Sequence, residues 1–101
     1  MIMLEETIDG KVTLCCPSCG SNYLHHGLVR VYARPTGETG ETTISMVKKD
    51  GAVKEPVEST ENPSEKRGAI RITFWCEICN SYPELDIIQH KGNTFVQWNT
   101  E

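Results

Sequence analysis

Two pairs of cysteines, Cys16-Pro17-Ser18-Cys19 and Cys76-Glu77-Ile78-Cys79, constrain this chain more than any other feature. Residues 20 to 75, 56 in all, separate them. Two intervening residues let a tight turn aim both sulfurs at one point, where N–H groups of the turn donate to the thiolates. Two such turns brought together place four sulfurs at tetrahedral corners, the geometry in which zinc takes thiolates at about 2.3 Å. Pro17 presets φ for its turn, and Gly20 supplies a positive φ that closes it. The chain has 101 residues, 38% of them hydrophobic, a size at which a metal or disulfides commonly supplement a thin core. The spacing predicts a structural metal held by Cys16, Cys19, Cys76 and Cys79. A shell of four sulfurs leaves no open coordination position, so the ion is a staple and not a hydrolytic centre.

Other uses of these residues fit less well. A secreted disulfide framework calls for an even cysteine count spread along the chain, whereas the fifth cysteine here, Cys15, makes the count odd. A redox C-x-x-C wants a helix starting at the motif. Here Gly20-Ser21-Asn22 and Asn80-Ser81-Tyr82-Pro83 follow the motifs, and both read as turns. Iron accepts the same four thiolates, so spacing does not separate it from zinc. Cys15 is an alternative to Cys16, but only Cys16 reproduces the spacing of the second pair; Cys15 is then a small, partly buried side chain at a strand end. His25 and His26 are conceivable ligands, read more simply as surface or strand-end residues.

The remainder reads as short β segments. Val12 to Cys15 leads into the first turn and Tyr23 to His26 leads out, which predicts a hairpin with the metal at its tip. Leu28 to Arg34 alternates, with Val29, Val31 and Ala33 on one face and Arg30, Tyr32 and Arg34 on the other, until Pro35 ends it. Thr42 to Lys48 and Ala52 to Lys54 flank Asp50-Gly51, a favoured hairpin turn. Glu55 to Gly68 holds two prolines and a single apolar side chain, Val57, which predicts a mobile loop. Ala69 to Trp75 alternates Ile70, Ile72 and Phe74 against Arg71, Thr73 and Trp75. Glu84–Gln89 and Thr94–Trp98 form a second hairpin closed by a four-residue loop, His90 to Asn93. No segment carries a helical apolar period. The expected fold is a small all-β, metal-stabilised domain over residues 1–101, with its core in about 10–34 and 69–99 and a long inserted loop over 35–68.

Leu14-Cys15-Cys16-Pro17-Ser18-Cys19-Gly20-Ser21, then Phe74-Trp75-Cys76-Glu77-Ile78-Cys79 and a closing hairpin, resemble the zinc-ribbon family. The resemblance covers about residues 10–34 and 69–99. It implies that Cys16, Cys19, Cys76 and Cys79 clamp one zinc at the end of an antiparallel sheet. The spacer between the pairs is longer than in compact ribbons, and Asn80 stands where a glycine is usual, though asparagine also tolerates the left-handed region. Zinc ribbons serve in transcription, ribosomes, enzymes and adaptor complexes, so the likeness does not choose a function.

Charge narrows the choice. Ten basic residues against 14 acidic give −4, and four thiolates around a dication add −2. That field disfavours a phosphate backbone and predicts a protein-interaction or regulatory adaptor, with another protein as partner. The alternative is a nucleic-acid-binding platform of Arg30, Tyr32, Arg34, Arg71 and Trp75, should their strands be neighbours. The plainer account of those residues is a solvated sheet face, with Tyr32 and Trp75 covering a thin core. An enzyme is not expected: His25, His26 and His90 have no evident partner in sequence, and no phosphate-binding glycine loop is present. No apolar run approaches the ~20 residues of a membrane-spanning helix. MIMLEETIDGK does not read as a secretory signal, so a cytoplasmic protein is expected.

Overall fold

The structure is a computed structural model that describes residues 4–6, 9–34, 42–48, 53–59, 62–64 and 67–99. Among these residues every regular element is a strand: β1 (Leu4–Glu6), β2 (Val12–Leu14), β3 (Leu24–Ala33), β4 (Thr42–Val47), β5 (Val53–Ser59), β6 (Ala69–Cys76), β7 (Glu84–His90) and β8 (Asn93–Asn99). Six of them form one sheet in the order β5-β4-β3-β6-β7-β8, while β1 and β2 pair separately. All pairings are antiparallel. The fold class is all-β, as alternation without helical period implied.

Five expectations need correction. The hairpin of 12–15 with 23–26 does not form: β2 pairs with β1, while Leu24–His26 pair with Phe74–Cys76 of β6. Nor are the segments Tyr23–His26 and Leu28–Arg34 separate: they join through Gly27 in β3. β3 runs through it with a bulge between His26 and Val29, where a Cβ at Gly27 would lie 3.5 Å from the Thr73 carbonyl oxygen.

The segment read as a mobile loop contains β5, which extends the sheet beside β4. The pairing of Thr42–Val47 with this segment is the expected hairpin, made longer; the Asp50-Gly51 turn lies outside the described residues. Among the described residues between β5 and β6, polar side chains make the contacts. Asn62 Oδ1 accepts from the Ser64 N–H at 2.9 Å, and buried Ser64 donates its hydroxyl to the Gln89 carbonyl at 2.8 Å. Asn62 Nδ2 reaches the Arg67 carbonyl at 2.8 Å. Gly68 completes this passage, since a Cβ there would meet the Tyr32 carbonyl oxygen at 2.8 Å.

The loop of the last hairpin is two residues, not four. His90 pairs with Asn93, and Lys91 and Gly92 take φ of 49° and 81°. Positive φ at both positions makes a type I′ turn, whose twist matches the strands.

The main buried cluster lies on the face that carries the arginines, and buried Leu85 lies on the other. Tyr32, Ile44 and Ala69 are buried together, with Met46 and Ile88 packed against them. Register explains the grouping: Tyr32 sits between Ile44 and Ala69, and Ala69 opposite Ile88. On the reverse face Val31 and Val47 are each 40% exposed. Arg30, Tyr32 and Arg71 therefore belong to the more enclosed side and not to a solvated one.

Candidate metal centre

Antiparallel pairing of β3 with β6 puts Leu24 opposite Cys76. The chain leaving the first cysteine turn is thereby tied to the chain entering the second, and the Glu77 N–H donates to the Tyr23 carbonyl at 3.1 Å. Both turns close in the same way. Gly20 N–H donates to the Cys16 carbonyl and Asn80 N–H to the Cys76 carbonyl, each at 2.9 Å. Cys16 N–H reaches the Ser21 carbonyl at 2.7 Å, and Cys76 N–H the Ser81 carbonyl at 3.0 Å. The fifth and sixth residues of each turn thus match, and the fifth, Gly20 and Asn80, have φ of 80° and 61°.

The structure brings the sulfurs of Cys16, Cys19, Cys76 and Cys79 within 4.8 Å of one another. Cys16 and Cys79 are 3.8 Å apart and Cys19 and Cys76 are 3.6 Å apart. A disulfide needs about 2.05 Å. A tetrahedral ion with metal–sulfur bonds of about 2.3 Å needs sulfurs about 3.8 Å apart along each edge. The donor set and its spacing therefore fit a four-coordinate metal ion, and these four cysteines can hold one. Cys16 and Cys76 are fully buried while Cys19 and Cys79 are exposed. Cys15 is also buried but lies apart, its thiol facing the Thr13 carbonyl at 4.0 Å. His25 and His26 are not in the cluster.

The turns prepare the sulfurs unequally. Burial opposes ionisation of Cys16, but the N–H groups of Cys19 and Ser18, aided by the Ser81 hydroxyl, hold its thiol down at about 6. The Ser81 hydroxyl and N–H also lower Cys79. The Ser21 N–H pulls Cys19 down, yet desolvation and the neighbouring thiols outweigh it and push Cys19 up to about 12. A bound dication stabilises thiolates, and so opposes the upward push on Cys19.

Ser81 is a site residue that the spacing argument missed. Its hydroxyl lies 3.0 Å from the Cys79 sulfur and 3.7 Å from Cys16. The signal was present: Cys-x-x-Cys-Gly-Ser and Cys-x-x-Cys-Asn-Ser put Ser21 and Ser81 in equivalent positions. Asn80 was foreseen as a residue able to turn left-handed, and it does more. Its Oδ1 accepts from the Trp75 indole at 2.7 Å. Trp75 in turn stacks on His25, with centroids 5.3 Å apart. His25 finds a partner that sequence did not suggest, Glu77, at 3.0 Å.

The strands carrying Arg30 and Arg71 are indeed neighbours, with those two residues directly opposite. Their charges, however, turn to acids on β7. Arg71 makes two bonds to Asp86, at 2.6 and 3.0 Å, and Asp86 is only 2% exposed. Arg30 meets Glu84 at 2.9 Å. Burial opposes ionisation of Glu84, but Arg30, Thr73 and Arg71 together hold it below the usual carboxylate range. Arg34 donates to the Arg67 and Ser64 carbonyls, and Tyr32 is buried.

Comparison of the chain with family models, with curated proteins and with solved structures returned no match. What the site can do follows from its donor set and its surroundings.

Proposed function

We propose that this chain is a small zinc-ribbon adaptor whose structural Zn²⁺, held by Cys16, Cys19, Cys76 and Cys79, presents a protein-binding surface. The observation that carries this reading is the closed shell of four sulfurs bordered by exposed apolar and aromatic side chains. Tyr23, Ile78 and Tyr82 are 60%, 62% and 69% exposed, and each lies within four residues of a cysteine of the cluster. Large side chains held out on a metal-braced turn lose little conformational freedom on docking, which favours them as interface anchors. Zinc is preferred because tetrahedral four-thiolate sites suit it and it brings no redox chemistry; iron shares the ligand set.

Protein docking is favoured over nucleic acid because the candidate platform spends its cations internally. Arg30 and Arg71 face Glu84 and Asp86, so a phosphate would have to displace carboxylates already in place. The net charge of −4 works against it as well.

Elemental analysis of the purified chain tests the metal, with one zinc per chain expected. Nuclease-treated purification tests the partner class. A protein retained by the native chain and lost from Ile78→Asp/Tyr82→Ala, with the melt of the variant unchanged, is the supporting result. Tight binding of a single-stranded oligonucleotide that weakens steeply with salt overturns the adaptor reading.

A further inference from the structure

The sheet has two outer strands, and they are protected to very different degrees. β5 contains Lys54, Glu55, Pro56 and Glu58 in seven residues, and its register with β4 shifts between Ile44 and Met46. Glu55 and Pro56 thus oppose the single residue Ser45, which is a bulge. Charge, proline and a bulge are the devices that stop an outer strand from pairing with another chain. β8, Asn-Thr-Phe-Val-Gln-Trp-Asn, has none of them. Its first five residues are exposed on both faces of the sheet, with Phe95 at 49% and Val96 at 47%.

We infer that β8 is a homodimerisation strand: two copies of this chain pair antiparallel through it, about a twofold axis at Val96, to give one continuous sheet. The turn fixes which backbone groups are available. In a hairpin with a two-residue type I′ loop the flanking pair, His90 and Asn93, is hydrogen-bonded, and bonded pairs then alternate along the ladder. Ile88–Phe95, Asp86–Gln97 and Glu84–Asn99 are bonded pairs in that alternation. The N–H and C=O groups of Thr94, Val96 and Trp98 accordingly point away from β7, toward the open edge.

These three residues are symmetric about Val96. An isologous antiparallel pairing centred there sets Val96 against its own counterpart and Thr94 opposite the partner subunit's Trp98. Every outward N–H then meets an outward carbonyl, and no backbone group of the three is left over. A register displaced by two residues leaves some of them unpaired.

Charge selects a second copy as the occupant. The chain carries −4 overall, so most ways of bringing two copies together oppose like charges. Of the sheet's two outer strands β8 alone avoids this, since residues 93–99 include no Asp, Glu, Lys or Arg. Cross-strand neighbours in the pairing are Val96 with Val96, Phe95 with Gln97 and Thr94 with Trp98, all uncharged. The pairing also joins the half-open apolar faces of the two sheets, bringing Val96 of each copy together on the side that exposes Val31 and Val47. The inference is independent of what the cysteine turns bind.

Sedimentation velocity of the metal-loaded full chain over a micromolar to high-micromolar series tests it. The expected species is a dimer of 11.3 kDa chains. Val96→Lys sets a cation against itself at the axis and is expected to weaken the dimer by about tenfold or more, while the melt of the dilute, monomeric chain is unchanged. General electrostatics predicts the reverse, because an added cation reduces the net negative charge; a loss is therefore specific to the strand. Mixing Val96→Lys with Val96→Glu chains is expected to restore association as a heterodimer. A native chain that stays monomeric throughout the series overturns the proposal. So does a dimer that Val96→Lys leaves intact, since its interface then lies elsewhere.

Discussion

Cys16 to Ser21 and Cys76 to Ser81 trace the same backbone, with matching carbonyl-to-amide bonds and a left-handed residue at the same step. They differ in what the side chains add. The first turn closes on Gly20, around which a Cβ would meet nothing within 4 Å, so glycine is there for its φ alone. The second closes on Asn80, which accepts the strained φ and uses its amide oxygen to hold Trp75. Ser21 accepts a bond from the Tyr23 N–H and stays within its own turn, whereas Ser81 reaches sulfurs of both turns. One backbone plan thus serves twice, first as a bare clasp and then as a clasp that also fixes the aromatic residues beside it.

Removing cysteines breaks the comparison most severely. Cys16 and Cys76 are the buried first cysteines of their turns, and Cys19 and Cys79 the exposed second ones. A structural metal contributes on the order of 10 kcal/mol to the folding of small domains, comparable to the whole stability of a domain this size. Cys16→Ser and Cys76→Ser are expected to abolish the cooperative thermal melt, as is prolonged chelation of the native chain. Cys19→Ser and Cys79→Ser should keep a residual melt in excess zinc, because solvent can supply the fourth ligand at an exposed corner. Circular dichroism in a zinc titration reads the order. Equal losses at all four positions would mean that burial does not distinguish the two cysteines of a turn.

The closing residues give the next effect. Asn80→Ala puts a left-handed strain of about 1 kcal/mol on alanine and removes a hydrogen bond worth about 1 kcal/mol. Gly20→Ala imposes only the strain, so it should cost about 1 kcal/mol against about 2 for Asn80→Ala. Gly20→Asn is expected to be almost neutral, since asparagine visits this region readily. Urea titrations of metal-loaded chains check the ranking. A larger loss at Gly20 than at Asn80 contradicts a second role for the asparagine.

The turns were legible in the sequence because their chemistry is local. Two residues between cysteines and a left-handed residue after the second leave few backbone solutions, and in the first turn Pro17 narrows them further. Strand existence was legible for the same reason, as alternation at Ile70, Ile72 and Phe74 is a property of neighbours. Partnership was not. Alternation in Val12–Leu14 does not say which strand lies beside it; the structure pairs it with β1, and gives Leu24–His26 to β6. The stretch from Glu55 to Gly68 was misread because apolar content was the criterion, whereas its first residues pair with β4, and Asn62 and Ser64 are held by hydrogen bonds to Thr42, Arg67 and Gln89. The buried face was misread through its arginines. Arg71 and Asp86 cancel only once β6 and β7 are placed side by side in that register.

The smallest expected effect is also the most selective between the two turns. Ser81 lowers the thiols of Cys16 and Cys79, so in the folded chain both ionise more readily than an ordinary cysteine. A depressed folded-state value favours the native, thiolate form above it, and that advantage is lost as pH falls through it. Metal binding requires thiolates, so protons compete with the ion as pH falls. Ser81→Ala raises both thiols and lets protons win at a higher pH; the midpoint of acid-induced zinc release should move upward by roughly half a unit, from the loss of a hydrogen bond of about 1 kcal/mol shared between two sulfurs. Ser21→Ala removes a hydroxyl bonded to a backbone amide and should leave the midpoint in place. A chromophoric chelator followed across an acid titration reads the release directly. An upward shift in Ser81→Ala alone assigns the difference between the turns to one hydroxyl, while equal shifts in both variants would assign it to the backbone they share.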